Sequence, residues 1–298
     1  MSESAKDSPK QGHTIETVRR VTGLREVVAG WRSAGARVGL VPTMGALHAG
    51  HVALVRRARE DCGRVVASLF VNPIQFNKPG DLKGYPRDEA SDATKFEAEG
   101  VDLLFAPDVA EVYTEGFATK VSVPALSDCL CGLARPGHMD GVATVVAKLL
   151  NQCQPDVAYF GEKDFQQLQI IRRMTADLNI PVEIVAVPTV READGLALSS
   201  RNLLLSPEQR AVAPAMHRVL RAAVDQLAGG GPAAEPVIAA ARTAIVAAGF
   251  EGLDYLELRA EADLAALERA DRPARLFAAA WLGGVRLIDN VPVEPGPA

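Results

Sequence analysis

Val38-Gly39-Leu40-Val41-Pro42-Thr43-Met44-Gly45-Ala46-Leu47-His48-Ala49-Gly50-His51-Val52-Ala53-Leu54-Val55 is the stretch whose change of period decides the fold. Its first four residues form a continuous apolar run, as expected of a short strand covered on both faces. Pro42 to Gly45 reads as a turn. Val52, Leu54, Val55 and Ala58 then pass onto the apolar side of a helix.

The same alternation extends outward in both directions. Upstream, Val21, Leu24, Val27, Val28 and Trp31 follow helical spacing and stop at Gly35. Downstream come an apolar strand at Val65–Val71, a charged helix from about Asp88 to Glu99, and a strand at Val101–Phe105. A helix around Gly141–Leu150, a strand at Val157–Phe160, a helix at Asp164–Leu178 and a strand at Val182–Val187 complete the series. Strands alternating with helices of this length require crossover connections and hence a parallel sheet. The expectation is an α/β fold with a Rossmann-like, doubly wound parallel sheet and a ligand site at the carboxyl ends of its strands.

After about residue 190 the character changes. Ser206-Pro207-Glu208-Gln209 has the pattern of a capped helix start, and the alanine-rich segment behind it runs to Gly229-Gly230-Gly231-Pro232. A second alanine-rich helix (Pro236–Ala248), a strand at Leu253–Leu258 and apolar segments near Leu276 and Val285 follow. This predicts a large domain over residues 1–190 and a smaller α+β domain over residues 191–298.

With 48% hydrophobic and 23% charged residues the balance is that of a soluble globular protein. The formal net charge of −5 argues against a basic nucleic-acid surface, though a local cation cluster could still hold a small anion. Cys62, Cys129, Cys131 and Cys153 include no C-x-x-C pair and fit buried thiols in a reducing compartment. The first 14 residues are polar and lack the apolar core of a signal peptide, so a loose arm is expected. No apolar run approaches the ~18 residues of a membrane span. A cytoplasmic protein without a membrane or nucleic-acid partner is expected.

Three constellations carry chemistry. The first is Thr43 to His51, between the first strand and its helix. His48 and His51 are three apart and point the same way in a helical first turn. Gly45 and Gly50 lack side chains that would keep a nucleotide from the backbone. A helix N-terminus offers unpaired N–H groups to phosphate. Exposed loop histidines are the alternative, whereas H-E-x-x-H, the zinc signature, is absent. The second is Phe160-Gly161-Glu162-Lys163-Asp164, where Asp164 suits ribose hydroxyls and Lys163 a phosphate; an acidic helix cap is the alternative. The third is Leu198-Ser199-Ser200-Arg201, either a phosphate clamp or an ordinary serine-rich hinge. Gln75 and Gln167 are neutral candidates for gripping a hydroxy acid. No G-x-S-x-G elbow is present, so no covalent intermediate is assigned.

In this order the segments resemble the pantothenate synthetase family. The resemblance rests on PTMGALHAGH at 42–51, FVNPIQF at 70–76, YPRD at 85–88, RPGHMDGVATVV at 135–146, FGEKDFQQL at 160–168 and LALSSRN at 196–202. It runs from about Thr14 to Val291 and implies an ATP-dependent ligase of the nucleotidyltransferase group. Such an enzyme activates pantoate as an adenylate with Mg²⁺, releases pyrophosphate, and transfers the pantoyl group to β-alanine with loss of AMP. By resemblance, Met44, Gly45, Ala46, Leu47, His48, Ala49, Gly50 and His51 line the nucleotide, and His51 is the proton donor. Gly161, Glu162, Lys163 and Asp164 are expected at the ribose and phosphates, Val190 at the adenine, and Leu198, Ser199, Ser200 and Arg201 over the phosphates. His48, His51, Lys163 and Arg201 are the expected catalytic set, with Gln75 and Gln167 on pantoate. A homodimer is likewise implied. The nearest competing reading is a nucleotidyltransferase that moves AMP or CMP onto a phosphate-bearing alcohol; a nucleotide-binding regulator without turnover is a second.

Overall fold

The computed structural model describes residues 15–77 and 79–295; the expected N-terminal arm lies outside them. Six strands form the first sheet: β1 (Glu16–Val18), β2 (Val38–Thr43), β3 (Arg64–Leu69), β4 (Leu103–Phe105), β5 (Val157–Gly161) and β6 (Glu183–Val187). Their order is β1-β4-β3-β2-β5-β6 and every pairing is parallel. This is the expected doubly wound α/β sheet. The winding direction reverses between β2 and β5, and at that switch point the strands' carboxyl ends leave a crevice.

Successive residues of β2 serve opposite faces, which is why the run is apolar throughout. Val38 and Leu40 join the core built by helices Val21–Ser33, His138–Cys153 and Phe165–Asp177. Val41 joins the opposite core with Leu54, Val55 and Ala58 of helix Ala49–Asp61. All three strand residues are at most 1% exposed, so each contributes on the order of 2 kcal/mol of burial.

Proline is the informative departure. Pro42 and Thr43, expected in a turn, continue β2. The Val38 carbonyl accepts from Asp156 N–H beside β5, and the Thr43 carbonyl accepts from Phe70 N–H beside β3. Even-numbered backbone groups of β2 therefore face β5. The β2–β5 ladder stops at Leu40↔Ala158, so the missing N–H of Pro42 falls where no partner is required. The proline helps end that ladder, and beyond it the crevice opens.

The second sheet is antiparallel, β7 (Gly252–Ala260), β8 (Ala274–Leu282) and β9 (Val285–Val293) in that order. Leu276, Ala278 and Ala280 of β8 pack with helices Ala215–Leu227 and Ala234–Ala247, whereas Phe277 and Ala279 face the core of the first sheet. The capping box at Ser206 forms as read, with the Ser206 N–H donating to Gln209 Oε1 at 2.9 Å. The helix behind it is not continuous. Pro207–Val212 ends before Pro214, whose ring and missing N–H interrupt the α-helical ladder, and Ala215–Leu227 follows. Strand β1 and the short helices Val109–Val112, Pro124–Ser127 and Leu130–Ala134 have no counterpart in the sequence reading. No helix among the described residues is long and apolar enough to cross a membrane.

Candidate active site

The crevice continues into a cavity between the two sheets, lined from β2, β5, the segment after β6 and β9. Its floor is the turn after β2. Asp92 of helix Glu89–Ala98 is 1% exposed and accepts the N–H groups of Ala46 and Leu47 at 2.8 and 2.9 Å. Lys95 donates to the Leu47 carbonyl at 3.1 Å. The two glycines here also make room within the protein itself. A Cβ on Gly45 would sit 2.9 Å from Asp92 Oδ2, and one on Gly50 would sit 2.8 Å from the His48 ring. They make room for the protein's own carboxylate and imidazole. Met44, His48, Gly50 and His51 line the cavity, whereas Gly45, Ala46, Leu47 and Ala49 are not on its wall.

His48 is the N-cap of helix Ala49–Asp61, and its Nδ1 accepts the Gly50 N–H at 3.1 Å. His51 Nδ1 accepts the His48 N–H at 3.3 Å. A neutral imidazole whose Nδ1 accepts carries its proton on Nε2. Both rings, their centroids 4.1 Å apart, thus offer Nε2–H as a donor. Burial and then the nearby Lys163 ammonium push the His48 pKa down to about 4. Burial, His48 and Lys163 push His51 down to about 3. Both are neutral donors at pH 7.

Lys163 stands at the end of β5, on the 3₁₀ turn Glu162–Asp164. Its ammonium is 3.7 Å from Asp164 Oδ2 and its side chain is 18% exposed. Gly161, Lys163 and Asp164 line the cavity. Glu162 is absent from that wall, because its carboxylate pairs with Arg275 at 3.0 Å. On the facing side, Ser199 caps the turn Ser200–Leu204 by accepting the Arg201 N–H at 3.3 Å. Leu198, Ser199, Ser200 and Arg201 all reach the cavity. Val190 lines it too, and its carbonyl accepts the Leu198 N–H at 3.0 Å.

Gln75 and Gln167 also line the cavity. Gln75 is 8% exposed and is held by a chain of polar contacts. Tyr113 donates to Asn72 Oδ1 at 2.7 Å, and Asn72 Nδ2 donates to Gln75 Oε1 at 2.9 Å and to the Gly141 carbonyl at 3.0 Å. The 72–75 turn can lie on helix His138–Cys153 only because Gly141 has no side chain; a Cβ there would be 2.6 Å from the Ile74 carbonyl oxygen. His138 Nε2 lies 3.0 Å from the Arg135 guanidinium and accepts from it, so Nδ1 donates to the Gln75 carbonyl at 2.8 Å. Burial, then Arg135, push the His138 pKa down to about 4.

Asn72, Tyr85, Arg135 and His138 also reach the cavity, without a role expected from the sequence. Their signal lay in FVNPIQF, YPRD and RPGHMDGVATVV, whose residues have no distinguishing spacing in isolation. Among the described residues no group of three or more His, Cys, Asp or Glu is placed to hold a metal ion. A magnesium ion keeps several waters and binds chiefly through substrate phosphates, so it does not require such a group.

A sequence model described as pantoate–β-alanine ligase matches residues 16–292. The pantothenate synthetase of Chelativorans sp. is 59% identical over 280 residues, covering 94% of this chain and 98% of that protein. The crystal structure of pantothenate synthetase from Thermus thermophilus superposes with a TM-score of 0.88 at 49% identity, covering 94% of this chain and all of that one (100%). That of Francisella tularensis pantoate–β-alanine ligase, complexed with β-γ ATP and β-alanine, gives a TM-score of 0.81 at 32% identity, with 95% and 100% covered. With agreement in sequence and in three-dimensional fold over nearly its whole length, the chain belongs to the pantoate–β-alanine ligase family.

Proposed function

We propose that the cavity binds ATP and pantoate side by side and makes pantothenate through a pantoyl adenylate. A pantoate carboxylate oxygen attacks the α-phosphorus, and the bond to the bridging oxygen of the β-phosphate breaks, releasing pyrophosphate. The amine of β-alanine then attacks the acyl carbon. The carbon–oxygen bond to AMP breaks, the nitrogen loses its proton, and pantothenate and AMP result. Attack of one anion on another is charge-crowded, so the protein's contribution is cations and preorganised donors.

The observation that carries this reading is the pair of neutral Nε2–H donors at His48 and His51 beside Lys163, at the switch point of a parallel sheet. In this reading the two imidazoles and Lys163 receive the charge that builds on the leaving pyrophosphate. A polyphosphate alongside raises both imidazole pKa values, so that His51 can take up a proton on Nδ1 and then give one from Nε2 to the leaving pyrophosphate. Arg201 and the Ser199–Ser200 hydroxyls close from the other side, Asp164 and Gly161 take the ribose, and the Val190 backbone meets adenine. Gln75, fixed through Asn72 and Tyr113, and Gln167 hold pantoate. A bound Mg²⁺ would neutralise phosphate charge, carried on the nucleotide's own phosphates with its waters. The Francisella relative's complex with β-γ ATP and β-alanine supports both co-substrates. Residues 1–190 serve as the nucleotide- and pantoate-binding part, and residues 191–298 as a smaller lid. A cytoplasmic homodimer belongs to the same reading and is open to sedimentation velocity.

Exchange of label between pyrophosphate and ATP tests it. Exchange is expected with pantoate present and β-alanine absent. Exchange that ignores pantoate, or that requires β-alanine, contradicts the adenylate.

A further inference from the structure

Asp289 and Asn290, neighbours on β9, are 3% and 2% exposed. Adjacent strand residues point to opposite faces, and each of these meets a different wall of the cavity. Burying two such polar side chains costs free energy unless every hydrogen-bonding atom finds a partner, and here the partners are the backbone and the guanidinium that shape the phosphate site.

Asn290 Nδ2 donates to two successive carbonyls, Glu162 at 2.9 Å and Lys163 at 3.0 Å. The peptide planes that flank Lys163 and aim its side chain are therefore fixed. Arg275 donates to Asn290 Oδ1 at 2.7 Å, so the amide has one orientation. Arg275 is itself seated on Glu261 at 2.7 Å and Glu162 at 3.0 Å, over the Phe165 ring. On the other face, Asp289 takes Arg191 in a two-pronged pair at 2.7 and 2.8 Å. His217 Nδ1 lies 3.3 Å from the same carboxylate, too poorly aligned for a full hydrogen bond. Arg191 also donates to the Gly195 carbonyl at 3.1 Å and bridges to Ala197. The segment leading to Ser199–Arg201 thus starts from a fixed point on β9.

We infer that Asp289 and Asn290 are positioning residues for the phosphate site: Asn290 sets the aim of Lys163, and Asp289 seats the 190–201 segment that carries Arg201. The inference rests on the reading of Lys163 and Arg201 as phosphate-binding groups. Misplacing a catalytic group by about 1 Å can cost ~100-fold in rate even when the substitution lies away from the chemistry, so the coupling to Lys163, and not the size of the loss alone, identifies the role.

The test is a double-mutant cycle read by fluorescence of mant-ATP binding and by pantoate-dependent exchange. Asn290→Ala should lower exchange by roughly 30- to 100-fold, leave the KM for pantoate within about twofold, and weaken mant-ATP by about 10-fold or more. In a Lys163→Ala background the same change should weaken mant-ATP by less than about threefold, because the group it aims is gone. Equal losses in both backgrounds, or unchanged exchange in Asn290→Ala, overturn the inference. If Asn290→Ala does not fold, Asp289→Asn carries the same cycle in an Arg201→Ala background. Lys163→Ala or Arg201→Ala retaining full exchange would overturn the reading of the site beneath it, a result distinct from a failed cycle.

Discussion

At the scale of single residues, the state of His48 and His51 is set by their own helix. Each Nδ1 is occupied by a backbone N–H at the helix start. This fixes the Nε2–H tautomer, and burial keeps the rings uncharged. The ¹H NMR signals of these two rings should not titrate above about pH 5 in the free protein, since their pKa values lie at about 4 and about 3. Adding pyrophosphate should move both upward, because an anion favours the charged imidazolium. A midpoint near 6.5 for either ring in the free protein contradicts this account. The sequence made the histidine pair legible because H-x-x-H stands on a strand–turn–helix. That Gly45 also makes room for Asp92 was not legible, because Asp92 arrives from 47 residues away.

At the scale of elements, the long periodic segments were readable and the short ones were not. The strands around Val41, Val66 and Ala158 are apolar on both faces and announce themselves. Glu16–Val18 is three residues long, too short to display a period, and is a strand only because β4 pairs with it. Helix His138–Cys153 begins three residues before the sequence placed it, since Gly137 in the left-handed region precedes it and Gly141 lies within it. That second glycine has the larger consequence. Gly141→Ala would press a methyl group against the Ile74 carbonyl and the Gln75 backbone. Stability should fall by about 1–3 kcal/mol, and the KM for pantoate should rise by about 10-fold or more as Gln75 shifts. Thermal denaturation and steady-state kinetics check the pair of effects. A change in stability with an unaltered pantoate KM would mean that the 72–75 turn does not position Gln75.

At the scale of the whole molecule, the cavity needs both sheets, and its walls are joined by contacts far apart in the chain. Asn290 grips the turn after β5 across 127 residues. Pattern and spacing carry no trace of such a pair, and in the sequence β9 shows only as an apolar segment near Val285. Three partly buried, neutral histidines also make the folded state sensitive to acid. His48, His51 and His138 have folded pKa values of about 4, about 3 and about 4, below the unfolded value near 6.5. The unfolded chain therefore binds more protons throughout that interval. The stability these groups contribute is complete above pH 6.5 and is lost progressively as pH falls toward 4. Urea unfolding at pH 7.5, 6.0 and 5.0 should give steadily lower free energies, and a flat profile would contradict the neutral assignment. In the proposed reaction pantoate is activated by joining its carboxylate to the α-phosphorus. Pantoate labelled with ¹⁸O in both carboxylate oxygens, turned over with ATP and β-alanine and followed by mass spectrometry, tests it most directly. The account predicts one ¹⁸O atom in each AMP and one retained in each pantothenate; unlabelled AMP, with the label in inorganic phosphate, would contradict it.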